Sequence, residues 1–235
     1  MKSKEAVILA GGLGTRLKSE VPDLPKCMAP VAGRPFIDHL IQYFLHNGID
    51  NFVFALGYKS ESIINHLKDN WKDLKFKYTI EKEPLGTGGA ILLASSAISG
   101  DDFFVLNGDT MFSIDTDQLL HVHQVNQAFI TMALKPMKHF DRYGTVDITE
   151  DQKITGFSEK SFCEEGLING GIYLVNKSKL LSLPLSERFS FEKDVLEIQT
   201  AQGTVYGVIF DSYFIDIGIP EDFRKANSDF MRRNL

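Results

Sequence analysis

Three glycines in the run Gly11-Gly12-Leu13-Gly14-Thr15-Arg16-Leu17 follow directly on the apolar stretch Ala6-Val7-Ile8-Leu9-Ala10. Glycines let a backbone turn tightly and bring its N–H groups against an anion, and Arg16 adds a rigid fork of donors matched to phosphate oxygens. The pattern points to phosphate handling, and so to nucleotide chemistry. Two common phosphate loops do not fit. A P-loop needs Lys and then Ser or Thr after its last glycine, where this chain has Thr15-Arg16. A dinucleotide fingerprint needs glycine where Leu17 stands and an acid after the second strand, where Gly57-Tyr58-Lys59 stands.

Other residues extend the chemistry. Lys26 adds a second cation within a stretch stiffened by Pro25, Pro30 and Pro35. Asp109 follows an apolar segment and Gly108, which puts a carboxylate at a strand's C-terminal end, where open α/β sheets bind ligands. Asp216 lies between Ile215 and Ile217, and a carboxylate buried among apolar neighbours calls for a partner. Mg²⁺ suits the pair, because it takes oxygen ligands and completes its shell with phosphate and water. Glu81 and Glu83 precede Pro84-Leu85-Gly86-Thr87-Gly88. A carboxylate there can accept from both N1–H and the exocyclic amine of guanine, a pairing uracil and thymine do not offer. His121 and His123 are two apart and share no helix face, and Phe103-Phe104 reads as sheet core, so none of these joins the site.

Such groups need a scaffold. Strands are expected over 5–9, 52–56, 76–80 and 103–106, and helices over 36–47, 60–69, 88–97 and 115–125, which is a βαβ order with helices on both faces of a largely parallel sheet. After Ala128 strands dominate, over 129–134, 144–148, 154–159 and 171–175. Helices over 191–199 and 220–231 bracket a hairpin-like pair, 204–210 and 213–217. The 235 residues, 43% hydrophobic and free of low-complexity segments, suit one domain spanning 1–235. A net charge of -6 argues against a nucleic-acid surface. The apolar run ending at Ala10 is too short for a secretion signal, and no segment approaches the ~20 apolar residues of a membrane span. With Cys27 and Cys163 alone there is no disulfide framework, so a cytoplasmic location is expected.

The segment from Leu9 to Ile37, with its glycine loop, Pro25-Lys26 and Pro30-Val31-Ala32-Gly33-Arg34-Pro35, resembles the signature of the sugar-1-phosphate nucleotidylyltransferases. Cys27 replaces the proline usual after the lysine. The resemblance continues through Glu83 to Ala90, Asn107-Gly108-Asp109, Arg142-Tyr143-Gly144, Glu159-Lys160, Asn169 to Tyr173 and Phe214 to Gly218. It implies a Rossmann-like, three-layer α/β domain of nucleotidyltransferase type with a strand-rich sugar-binding part. It also implies attack of a sugar 1-phosphate on the α-phosphorus of a nucleoside triphosphate, with pyrophosphate leaving. By the same resemblance Arg16 and Lys26 are catalytic cations, and Leu9, Ala10, Gly11, Gly12, Gly14, Thr15, Glu81, Pro84, Gly86 and Thr87 bind the nucleotide. Gly144, Glu159, Lys160, Asn169 and Gly170 face the sugar phosphate, with Glu159 able to hold two vicinal hydroxyls. Asp109 and Asp216 hold the metal.

Within the family the chain is most similar to the D-glycero-D-manno-heptose 1-phosphate guanylyltransferases, on Glu81 to Gly89, Arg142 to Val146, Ser190-Phe191-Glu192-Lys193-Asp194 and Phe214 to Asp222. Mannose-1-phosphate guanylyltransferases and N-acetylmuramate-1-phosphate uridylyltransferases remain competitors. A different class is set against these: a glycosyltransferase consuming a nucleotide-sugar would show Asp-x-Asp rather than Asn107-Gly108-Asp109 and has no need of the Arg16 loop, and a non-catalytic sensor has no need of Arg16, Lys26, Asp109, Lys160 and Asp216 together.

Overall fold

The computed structural model describes residues 4–12, 14, 17 and 20–233. In β1 (Lys4–Leu9), Ala6 and Ile8 face one way and Val7 the other, and all three are fully buried, as in a strand covered on both faces. A 3-10 turn at Lys26–Met28 and a short ribbon, β2 (Pro30–Val31) with β3 (Arg34–Pro35), lead into α1 (Phe36–His46). Next come β4 (Ile49–Leu56), α2 (Ser60–Asn70), β5 (Lys75–Ile80), α3 (Gly86–Ser95) and β6 (Asp102–Asn107). Strands then dominate: β7 (Thr110–Phe112), α4 (Thr116–Val125), β8 (Ile130–Phe140), β9 (Val146–Ile148), β10 (Ile154–Phe157) and β11 (Cys163–Asn176). The chain closes with α5 (Lys177–Leu181), a π-helical segment Glu192–Glu197 running into α6 (Ile198–Ala201), β12 (Val205–Ile209), β13 (Phe214–Asp216) and α7 (Pro220–Arg233).

Seven strands form one sheet in the order β12-β8-β11-β6-β1-β4-β5. The pairs β6/β1, β1/β4, β4/β5 and β12/β8 are parallel, while β11 runs against both its neighbours. The largely parallel, three-layer expectation therefore holds. One face carries Ala6, Ile8, Phe52, Phe54, Phe104 and Leu106 against α1, α2 and α7. The other carries Val7, Val53, Ala55, Phe103 and Val105 against α3 and the π-helical segment. Burying a side chain such as Phe54 contributes about 1.5–3 kcal/mol, and this double burial fixes the register of the central strands.

Two expectations are corrected. The segments 204–210 and 213–217 do not pair as a hairpin. β12 joins β8 with Val205 opposite Ile130, whereas β13 pairs antiparallel with β7, Asp216 opposite Thr110. Val205 and Val208 are buried at the edge of the main sheet, and Ile215 is buried with Met111 and Phe112, so each run finds a better surface than its neighbour in sequence. The expected strand 171–175 is only the second half of β11, whose 14 residues continue back along Lys135 to Phe140 of β8 beyond a register shift between Asn169 and Tyr173. Among the described residues no helix is long and apolar enough to cross a membrane.

Candidate active site

Parallel pairing brings the C-terminal ends of β1, β4 and β6 to one edge, where Leu9 lies beside Ala55 and Asn107. A cleft of about 720 Å³ opens there. Its wall contains Leu9, Ala10, Gly11, Gly12 and Gly14, Lys26 from the 3-10 turn, Glu81, Pro84, Gly86 and Thr87 from the β5–α3 connection, and Asp109 after β6. The sequence reading named all of these. Thr15 and Arg16 lie outside the described residues. Two glycines are required by geometry. A Cβ on Gly108 would stand 2.4 Å from the Leu9 carbonyl oxygen, which accepts the Gly108 N–H at 3.0 Å. Gly86, at φ +76°, would put a Cβ 2.5 Å from the Phe189 carbonyl oxygen.

At one end of the cleft three charges converge. The Lys26 ammonium donates to Asp109 Oδ2 and lies 3.5 Å from Asp216 Oδ1, with side-chain exposures of 12% for the lysine, 32% for Asp109 and 25% for Asp216. Asp216 ends β13 and Asp109 directly precedes β7, and the Ile217 N–H, donating to the Asp109 carbonyl at 2.9 Å, ties the two together. Asp216 Oδ1 also accepts the Gly218 N–H at 2.7 Å. Burial, and then the neighbouring Asp109 charge, push the Asp216 carboxyl above the ordinary carboxylate range, with Lys26 and the Gly218 N–H pulling the other way. Two partly buried carboxylates brought together beside a phosphate loop suit a hard divalent cation that takes its other ligands from phosphate and water. The neighbouring Cys27 thiol is buried and pushed up to about 12 by desolvation and then by Asp109, so it is inert packing rather than a nucleophile.

The carboxylate of Glu81 is partly committed to the backbone. Its Oε2 accepts the Leu85 N–H at 3.0 Å, and its Oε1 packs so closely that a Cβ on Gly57 would stand 2.6 Å from it. Glu83 also lines the cleft.

The sugar-side residues are gathered differently. Gly144, Glu159, Lys160, Asn169 and Gly170 stand outside the wall of this cleft. Glu159 and Lys160 are exposed between β10 and β11, and Gly144 abuts the Ser158 carbonyl. Asn169 donates to Tyr173 Oη at 2.7 Å and accepts the Gly171 N–H at 2.9 Å, shaping the irregular stretch of β11 that presses Gly170 on the Phe112 ring and Gly171 on Asn107. Arg142 pairs with Asp222 of α7 at 2.5 Å, and Tyr143 packs edge-on against Phe214 at 6.1 Å. Burial, and then the charge of Asp216, push the Tyr143 hydroxyl up to about 12. Asn107, Gly218 and Glu192 line the cleft without having been picked from the sequence as site residues. The first two flank Asp109 and Asp216 and were visible as their neighbours. Glu192 reads in sequence as an ordinary helix acid, and the only sign of it was the Ser190–Asp194 string.

Residues 5–233 match the model of the nucleotidyl transferase family. The chain is 47% identical over 225 residues to the D-glycero-alpha-D-manno-heptose 1-phosphate guanylyltransferase of Aneurinibacillus thermoaerophilus, covering 96% of this chain and 97% of the relative. It is equally 47% identical over 219 residues to the Campylobacter jejuni enzyme of that name, covering 93% and 96%. The crystal structure of HddC from Yersinia pseudotuberculosis complexed with GMP-PN superposes with a TM-score of 0.87 at 38% identity, over 97% of this chain and 99% of that one. A match along nearly the whole chain, over a cleft lined by the glycine loop, Lys26 and Asp109, places this protein in the nucleotidyl transferase family.

Proposed function

We propose that this protein, as one cytoplasmic catalytic domain, transfers a guanylyl group from GTP to D-glycero-α-D-manno-heptose 1-phosphate, giving GDP-heptose and pyrophosphate. The observation that carries the reading is Lys26 held between Asp109 and Asp216 at the mouth of the glycine-loop cleft. An oxygen of the sugar phosphate attacks the α-phosphorus, the bond from that phosphorus to the β-bridging oxygen breaks, and pyrophosphate departs. Two polyanions must meet, so the protein's task is in-line positioning and charge neutralisation. Lys26 meets the phosphates at the reacting centre, Arg16 takes the triphosphate and the leaving pyrophosphate, and Lys160 takes the sugar phosphate. Nucleotidyl transferases generally use a divalent metal; here Asp109 and Asp216 would hold Mg²⁺, which supplies further charge neutralisation when bound.

Guanine is supported by the guanylyltransferase relatives, by the GMP-PN in the structural neighbour, and by the Glu81 carboxylate at the cleft wall. A cytoplasmic location is where nucleoside triphosphates are supplied, and the activated heptose suits assembly of a cell-surface polysaccharide. Pyrophosphate release is the test, with GTP, UTP, dTTP, CTP and ATP each offered the heptose 1-phosphate and mannose 1-phosphate. GTP with the heptose 1-phosphate is expected to give the highest kcat/KM, since a carboxylate matched to guanine is left unpaired by the wrong base. A preference for UTP or dTTP removes the guanylyl assignment, and equal use of mannose 1-phosphate removes the sugar assignment.

A further inference from the structure

The string Ser190-Phe191-Glu192-Lys193-Asp194 lies apart from the charged groups Lys26, Asp109 and Asp216. Its local geometry is firmly set. Ser190 Oγ accepts the Lys193 N–H at 3.2 Å while Asp194 Oδ2 accepts the Ser190 N–H at 2.7 Å, a reciprocal cap that pins the start of the helix. The turn that follows is π-helical, a form that recurs at functional sites. It delivers the Glu192 carboxylate to the cleft wall. There Glu192 Oε2 accepts from Thr87 Oγ1 at 2.7 Å and from Ser190 Oγ at 2.9 Å, and the Phe191 N–H donates to Thr87 Oγ1 at 2.9 Å. Both hydroxyl bonds fall on one oxygen, so Oε1 carries neither.

Glu192 also sits where the two halves of the site meet. Thr87 lies in the first turn of α3, on the expected nucleoside side. On the other side, the Phe191 ring packs edge-on against Tyr173 at 5.3 Å, and Tyr173 Oη accepts from Asn169 of the irregular stretch of β11. The Tyr173 hydroxyl is pushed up by burial and then by the Glu192 charge. A fixed anion repels phosphate but accepts hydrogen bonds from hydroxyls, and a carboxylate can accept from two adjacent ones.

We propose that Glu192 binds a vicinal diol of a substrate and thereby helps decide which substrate the cleft accepts, an inference that rests on the guanylyl-transfer reading above. Both the seven-carbon sugar and the ribose of the nucleotide offer this chemistry, and kinetics separate them. In Glu192→Gln, which keeps shape and an acceptor for Thr87, the KM for D-glycero-α-D-manno-heptose 1-phosphate is expected to rise about tenfold to a hundredfold, with the KM for GTP and kcat changed about twofold or less. A rise confined to the KM for GTP, together with loss of a wild-type preference for GTP over 2′-deoxy- and 3′-deoxy-GTP, assigns the diol to the ribose. Unchanged KM values for both substrates in a folded, active variant overturn the inference while leaving guanylyl transfer intact. A loss of kcat with both KM values unchanged would assign Glu192 an interaction made only in the transition state, not diol binding, and also overturns it. A wild type that releases no pyrophosphate from this substrate pair defeats the parent reading, and this inference with it.

Discussion

The nucleotide side and the sugar side of this site are built by different means. On the nucleotide side the cleft wall is built on the C-terminal ends of the doubly buried parallel strands β1, β4 and β6, with backbone contacts such as Gly108 N–H to Leu9 fixing them. On the sugar side β8 and β11 run on past the main sheet, and Glu159 and Lys160 extend exposed from the connection after β10. Phosphate transfer demands preorganised charge in a low-dielectric setting, whereas recognition of a polyol can be assembled when the ligand arrives. On the proposed function, rate is concentrated in the first region and substrate choice in the second.

Changing Lys26 tests the first half most severely. Lys26→Met is expected to lower kcat about 100- to 1000-fold, the ~3–4 kcal/mol of a preorganised charge, and to lower Tm as well because Asp109 and Asp216 then repel each other unscreened. Steady-state kinetics with calorimetry reads both, and retention of more than a tenth of wild-type kcat breaks the contrast. Lys160→Ala probes the other half: KM for the sugar 1-phosphate should rise about tenfold while Tm stays within about 2 °C, since the side chain is exposed. A drop in kcat as large as that of Lys26→Met would show that the sugar side also carries the rate. The smallest effect is chemical rather than catalytic. Cys27 has its thiol held at about 12, and the thiolate is the reactive form, so at pH 8 iodoacetamide should label Cys163 and spare Cys27, with Cys27 reacting only as the pH climbs toward 12. Peptide mass spectrometry checks this, and equal labelling would mean that the cleft floor is open.

What could be read from the sequence follows the same divide. Val7, Val53 and Val105 belong to short uninterrupted apolar runs, and such runs announce central parallel strands through burial alone. The glycine loop, Lys26, Asp109 and Asp216 were legible because a charge set in an apolar or glycine-rich context is costly unless a partner or a ligand meets it. The first half of β11 was not, since Cys163-Glu164-Glu165-Gly166 has the composition of a loop and becomes strand only by pairing with Lys138 to Phe140. β12 and β13 misled for the converse reason. Two apolar runs three residues apart invite a local turn, and nothing local shows that their hydrogen-bonding partners lie in β8 and β7. Glu192 escaped because its meaning depends on Thr87, a contact across 105 positions.

The ribbon of β7 and β13 has a consequence for how the protein comes into being. Lys26 and Asp216 are separated by 190 positions, yet the charge cluster is complete only when both are in place. As the chain is synthesised from its N-terminus, the glycine loop, Lys26 and Asp109 all emerge well before the strand that brings the second carboxylate. On the proposed mechanism, the catalytic charges are therefore assembled only once β13 has docked on β7, which closes a loop spanning most of the chain.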